Sequence, residues 1–240
     1  MPYGETSKIL RLLTRDLGLQ SAIARGARRG RARTGPRLDL FTEGVAALLT
    51  KPQRELNPLT DFDVTAPHAG LARGVERFAA AAALAELALK CAPADPHPDV
   101  FDATVAGLAA LEGARPEDLD ATALAAAWGL IGALGFAPAL ERCGVCGAPL
   151  DAAISFSAEQ GGALCGAHRG GQGVTRLSGP DRAALAALVE GRLPEPPLDK
   201  RHAASHRRLL VAFVRHHLAE QRPLPALAFW DREAWNAASS

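Results

Sequence analysis

The sequence predicts a multidomain α+β protein: a small N-terminal β-barrel, then an all-α domain carrying a metal-knuckle insertion. Three observations predict it. Short β-prone runs separated by turn signals fill residues 3–65, and helical periodicity takes over from Ala69. In the helical half, Cys143/Cys146 and Cys165/His168 form two pairs of soft metal ligands separated by 18 residues. The expected segments are 1–67 for the barrel, 68–142 and 176–240 for the two parts of the helical domain, and 143–175 for the insertion.

With 240 residues, 48% hydrophobic and 22% charged, the chain has ample material for a core and does not read as disordered. The net charge of +1 hides an uneven distribution: +4 over 1–70, −5 over 71–142 and +2 over 143–240. The N-terminal third is therefore the segment suited to anionic ligands. No basic segment followed by an apolar run opens the sequence, so no secretory signal is expected.

Taken in order, Ser7–Thr14 and Leu19–Arg25 read as strands joined by an Arg15-Asp16-Leu17-Gly18 turn. Leu38–Thr50 reads as one or two strands with a bend at Gly44, and a last extended run passes through Leu56, Leu59, Phe62 and Val64. Several short strands in so few residues suggest a barrel rather than an open sheet. Between two of them, residues 25–37 hold six arginines (Arg25, Arg28, Arg29, Arg31, Arg33, Arg37) and no acid. Like charges repel, so such a loop makes physical sense with phosphates to bind, and guanidinium groups give bidentate contacts to them. The loop is the expected nucleic-acid site.

From Ala69 the pattern is helical, with Leu71, Val75, Phe78, Ala82, Ala85 and Leu89 at three- and four-residue spacing. Pro93, Pro96 and Pro98 break it, and a second helix starts near Asp99 with Val100, Val105, Leu108 and Leu111 on one face. A third is expected from about Asp120 to Phe136. It opens the stretch Ala121–Leu140, twenty residues without a charge, which is Ala-rich with interspersed Gly and reads as a buried core helix rather than a membrane span.

The knuckles follow. A C-x2-C turn brings two sulfurs to one side, and Gly147, Gly161 and Gly162 supply the turns. Three Cys and one His make a closed tetrahedral set with no position for water, which is the pattern of one structural Zn2+. Cys143, Cys146 and Cys165 are three of the four cysteines; an ordinary disulfide or scattered thiols is the alternative, and the spacing argues against it. Free thiols suit a reducing cytosol. Ile154–Ser157 reads as a short strand, and helices are expected over 179–190 and about 199–220, with a Pro194–Pro197 linker between them. His202 and His206 stand four apart on the last helix. Position 203 is Ala, not the Glu of a zinc protease, so they read as surface histidines. Trp128, Trp230 and Trp235 read as packing residues, and the lone Cys91 as a small buried one.

Three stretches resemble the bacterial RecO recombination and DNA-repair family. The first runs from Pro2-Tyr3-Gly4-Glu5-Thr6-Ser7 through Leu12-Leu13-Thr14-Arg15 to Ala24-Arg25-Gly26-Ala27-Arg28-Arg29. The second is Leu134-Gly135-Phe136-Ala137-Pro138 through Arg142-Cys143-Gly144-Val145-Cys146-Gly147, and the third Phe156 to Cys165 with its Gly161-Gly162 pair. The resemblance implies an N-terminal OB-fold, a helical domain and a zinc-binding insertion, with His168 standing where many relatives have Cys. It implies a cytoplasmic, nucleoid-associated, non-enzymatic protein. Its expected activities are binding of single- and double-stranded DNA and annealing of complementary strands. Its expected partners are RecR and single-strand-binding protein, and through them RecA. RecO-like chains usually begin earlier, so the first strand of the barrel is expected to be missing here. The Pro223–Leu227 segment lacks the basic residues that often stand there in relatives. A zinc-ribbon adaptor or transcription-type DNA binder without annealing activity is the alternative. A zinc hydrolase is disfavoured, because four protein ligands leave no open position.

Overall fold

A computed structural model describes residues 7–25, 38–50, 55–150, 154–171, 173–219 and 222–233. Strands β1 (Lys8–Thr14), β2 (Gly18–Ala24), β3 (Glu43–Leu48) and β4 (Asn57–Ala66) form one sheet in the order β1-β2-β4-β3. β1 and β2 make an antiparallel hairpin in register from Lys8↔Ala24 to Thr14↔Gly18. Thr14 Oγ1 stabilises its turn, donating to Gly18 O (2.8 Å) and accepting from Leu17 N (3.1 Å). β2 meets β4 in parallel at Ala22↔Asn57 and Ile23↔Pro58, and β3 pairs antiparallel with β4. The register of that last pair shifts between Glu43 and Gly44, the bend expected from the sequence, and again between Ala47 and Leu48.

Alternation gives the sheet an inner face. Ala22, Ala24, Leu38, Leu59 and Phe62 are buried there, with Leu10, Leu12, Ala46, Leu48 and Val64 packed against them. Ile9 and Arg11, which alternate with the inward leucines of β1, are exposed. Among the described residues β1 and β3 each have one neighbour, so the expected barrel is observed as an open four-stranded sheet. The Pro2–Thr6 turn lies outside the described residues.

A 3-10 turn at Ala69–Arg73 leads into the helices α1 (Val75–Cys91), α2 (Pro98–Gly113) and α3 (Leu119–Ala133). Strands β5 (Ile154–Ser157), β6 (Gly162–Leu164) and β7 (Val174–Leu177) follow as a small antiparallel sheet, β6-β5-β7. Helices α4 (Gly179–Val189), α5 (Lys200–His217) and α6 (Pro225–Asp231) complete the fold. Ser178 and Asp199 start α4 and α5 by accepting hydrogen bonds from Asp181 N (3.2 Å) and His202 N (2.8 Å).

Helix α3, free of charge beyond Asp120, is the core helix, as expected. Leu119, Leu124, Trp128, Leu130 and Ile131 are all buried, and the Trp128 ring meets Phe213 of α5 edge-on at 5.2 Å. No helix among the described residues is long and apolar enough to cross a membrane. The α1 stripe is corrected by the structure. Val75 (50% exposed) faces outward and Phe78 (37% exposed) lies off the helical core, whereas Ala80, Ala83, Leu84, Leu87 and Ala88 form the buried side. In so Ala-rich a helix the contrast between faces is too weak for spacing to select one. Helix α6 and strands β6 and β7 were not expected from the sequence. Leu227 and Trp230 of α6 are buried, while Phe41 and Phe78 meet edge-on at 5.5 Å where the N-terminal segment packs on α1.

One buried histidine joins the two halves. His68 follows β4 with φ +45°, and its Nδ1 donates to Glu112 Oε2 of α2 at 2.8 Å. Its Nε2 lies 3.7 Å from Glu43 Oε2 of β3, and Glu112 Oε1 accepts from Gly70 N at 2.7 Å. The hydrogen bond from His68, and then that from Gly70, hold the Glu112 carboxyl below its ordinary pKa. Its stabilisation is therefore present above the ordinary carboxylate pKa and lost as pH falls through the depressed value. A Glu112→Gln protein should be less stable at neutral pH by about 1 kcal/mol, the partly exposed carboxylate being screened by solvent. Thermal melts across pH should show this difference shrinking in acid; a pH-independent difference would mean that the contact is not ionic.

Candidate metal centre

Backbone hydrogen bonds build both knuckles. After α3 the chain runs to Arg142, which bridges to Pro149, while Cys143 N donates to Ala148 O (2.8 Å) and Gly147 N to Cys143 O (2.9 Å). Gly147, at φ +69°, closes this loop in a conformation that L side chains rarely adopt. In the second knuckle His168 N donates to Cys165 O at 3.0 Å. The two are tied together: Gly144 N donates to Ala163 O (2.9 Å), and Ala163 N to Ala139 O (2.7 Å). Gly162 sits so close to the Ala139 backbone that an added Cβ would lie 2.2 Å from its carbonyl oxygen. The unexpected strand β6 thus delivers Cys165 to the site from the three-stranded sheet.

The result brings together all four predicted ligands, Cys143, Cys146, Cys165 and His168, with ligand atoms within 4.8 Å of one another. Cys146 Sγ and Cys165 Sγ are 3.8 Å apart, and His168 Nδ1 is 3.3 Å from Cys165 Sγ and 3.7 Å from Cys143 Sγ. A tetrahedral ion at 2.3 Å from sulfur and 2.0–2.1 Å from nitrogen spaces its ligands by roughly 3.8 Å (S···S) and about 3.6 Å (S···N). The donor set and its spacing therefore fit a metal ion.

Electrostatics prepare two of the four donors, the Cys143 and Cys165 thiols, for ligation. Backbone amides, those of Cys165 and Cys146 first, hold the Cys143 thiol down to about 6, so it is largely thiolate at neutral pH. The hydrogen bond with His168 lowers the Cys165 thiol and raises the His168 imidazole. The site has a gradient of access: Cys143 is buried, Cys165 and His168 are half-buried, and Cys146 is exposed.

Of the expected nucleic-acid residues, Arg25 is exposed in the turn after β2; Arg28, Arg29, Arg31, Arg33 and Arg37 lie outside the described residues. A second basic surface lies on α5, where Arg201, Arg208 and Arg215 are exposed at seven-residue spacing. Of the histidine pair on that helix, His202 is exposed, as expected of a surface residue, whereas His206 is corrected by the structure and is buried at 2% exposure. Trp128 and Trp230 are buried, as expected of packing residues; Trp235 lies outside the described residues. Cys91 is half-buried, its Sγ 3.9 Å from Leu218 O.

An N-terminal β-sheet unit, a helical body and a Cys3His cluster held on a small sheet define a class of two-part protein with a built-in metal-ligand site. Two family models divide this chain between them: Recombination protein O N terminal matches residues 1–68, and Recombination protein O C terminal matches 73–226. The DNA repair protein RecO of Anaeromyxobacter dehalogenans strain 2CP-C is 38% identical over 237 residues, 95% of this chain and 91% of that protein. That of Anaeromyxobacter sp. strain Fw109-5 is 35% identical with the same coverage, and that of Rhodopirellula baltica 36% identical over 68% of this chain. The chain belongs to the RecO family, which supports a role in DNA repair and recombination.

Proposed function

We propose that this protein is a non-enzymatic recombination mediator of the bacterial cytoplasm. It binds single- and double-stranded DNA, anneals complementary strands, and with RecR helps RecA load on strands covered by single-strand-binding protein. The observation that carries this reading is the match to both halves of the RecO family along nearly the whole chain. The six-arginine stretch that opens at exposed Arg25 supports it chemically. The N-terminal sheet serves as an OB-type platform whose basic loop binds phosphates, and counterion release supplies most of the affinity. Aromatic stacking contributes little, because residues 1–65 contain only Tyr3, Phe41 and Phe62, and Phe62 is buried. Binding is therefore weakly dependent on sequence and strongly dependent on salt. Annealing follows when two strands are held with their phosphate repulsion screened and their bases free.

The metal in this reading is one structural Zn2+, held by Cys143, Cys146, Cys165 and His168. It cross-links the two knuckles and takes no part in DNA chemistry.

Single-stranded DNA binding across a salt series tests the proposal, comparing wild type with an Arg28→Ala/Arg29→Ala/Arg31→Ala variant. Each lost phosphate contact should flatten the log–log salt slope by roughly 0.7, with weaker binding throughout. An unchanged slope would remove the loop from the interface and leave the Arg201/Arg208/Arg215 stripe of α5 as the phosphate site. Duplex binding confined to one sequence would instead favour a transcription-type adaptor.

A further inference from the structure

We propose that the exposed face of α5, with the aromatic rings at its C-terminal end, forms a second track for single-stranded DNA on the helical body. The track rests on the DNA-binding reading above, but it uses no residue of the arginine loop.

The starting observation is a row of charge without counter-charge. Arg201, Arg208 and Arg215 are exposed on one side of α5, and none of them makes an ion pair among the described residues. The helix itself, Lys200–His217, contains no Asp or Glu. Its remaining arginine shows the contrast: Arg207 is buried and held by Asp120 and Glu233. Asp199, the cap of α5, is engaged by the backbone and the ring of His202. Three guanidinium groups left unneutralised along one face repel each other, and a polyanion is the partner that matches them.

The spacing suits a sugar–phosphate backbone. Seven residues of α-helix rise about 10.5 Å and drift by only about 20° around the axis, so the three arginines form a nearly straight row. Three stacked nucleotides of one strand rise roughly 10 Å. Ser205 and Ala212, exposed between the arginines, are small and leave the row open. Arg208 Nε donates to Ala204 O at 3.2 Å, which holds that guanidinium along the helix.

A phosphate row alone does not select single strands; the end of this one does. His216 is exposed beside Arg215, its ring meets that of His217 edge-on at 4.7 Å, and the His217 ring lies 6.4 Å from that of Phe136. Phe136 follows α3 and is 40% exposed. The supports are fixed. His217 Nε2 donates to Ala158 O at 2.6 Å and its ring packs 4.4 Å from Phe213, while Phe136 N donates to Ile131 O at 3.0 Å. An exposed ring held beside a phosphate row can stack an unpaired base, whereas the bases of a duplex keep their faces covered. Residues 25–37 contain no aromatic side chain, so the track supplies a discrimination that the arginine loop lacks. With one strand on the loop and another on the track, a single chain holds both partners of an annealing reaction.

The test is binding of a mixed-sequence single strand, and of its duplex, to the full-length protein across a salt series. Arg201→Gln/Arg208→Gln/Arg215→Gln should flatten the single-strand log–log slope by about 2, roughly 0.7 for each phosphate contact. Phe136→Leu should bind the single strand about five- to tenfold more weakly at an unchanged slope and the duplex as wild type does. Phe136→Tyr, which keeps a ring, should bind both as wild type does. A wild-type slope in the α5 variant, with the slope lost in Arg28→Ala/Arg29→Ala/Arg31→Ala, would overturn the track and leave the loop standing. Equal weakening of single strand and duplex by Phe136→Leu would overturn the stacking position. A wild type without affinity for DNA would overturn the functional reading and the track together.

Discussion

On the proposed reading, a Cys143→Ser protein is expected to lose metal binding at the Cys3His cluster and the order of the segment between Arg142 and His168, while keeping most of its affinity for DNA. Cys143 is the buried member of the cluster, and its thiol is the one that backbone amides hold down to about 6. A serine hydroxyl does not ionise in this range, so the substitution removes an anionic ligand where the protein is built to stabilise one. In small zinc-dependent peptides the metal supplies about 10–16 kcal/mol, which is the whole of their folding free energy. Here the knuckles rest on a helical body with its own core around Trp128, Phe156 and Phe213, so the loss should be several kcal/mol rather than complete unfolding. Metal analysis and thermal unfolding, with and without a chelator, measure it. Chelated wild type should melt like the variant. Equal loss of stability and DNA affinity would contradict the proposed separation of a metal-held fold from a phosphate-binding loop.

Arg207→Ala should destabilise the helical body by about 2–4 kcal/mol, because it deletes a fully buried side chain and leaves three acceptors without their donor. Arg207 is 1% exposed, and its guanidinium donates to Asp120 Oδ1 (2.9 Å), Glu233 Oε1 (2.9 Å) and Trp230 O (3.0 Å). It also lies 5.1 Å from the centre of the Trp230 ring. One side chain of α5 thereby links the start of α3 to the end of α6. Burial already raises the Asp120 pKa despite the neighbouring Arg207, so removing the cation leaves a carboxylate that must either protonate or be hydrated at the cost of packing. Urea unfolding at neutral pH measures the loss, and Asp120→Asn added to Arg207→Ala should recover part of it. A double variant no more stable than Arg207→Ala would assign the cost to lost packing instead of stranded charge.

The metal-ligand set was legible in the sequence because its information is local. Two x2 spacings and the glycines beside them encode both knuckles, and the structure converges all four donors. Strands β1–β5 and helices α1–α5 were legible for the same reason: turn residues at 15–18 and the prolines at 93–98 punctuate the chain. Helix α6 was passed over although Pro225 occupies its first turn, a position that proline favours. Its stability comes from Leu227 and Trp230 entering the core and from Glu86 of α1 accepting from Leu227 N at 3.0 Å, and neither is a local property.

By itself, then, the sequence determined the α+β class, the succession of the N-terminal sheet and the first five helices, the four donors of the Cys3His cluster and the family to which the chain belongs. The side-chain period and turn chemistry act over a few residues and survive without knowledge of partners. Tertiary structure alone decided which face of Ala-rich α1 is buried and that β2 meets β4 in parallel. It alone brings Glu43 and Glu112 to His68, and closes α4 on α5 so that His206 loses its solvent opposite Asp181. These depend on groups far apart in the chain, whose encounter is fixed by packing and desolvation and not by spacing.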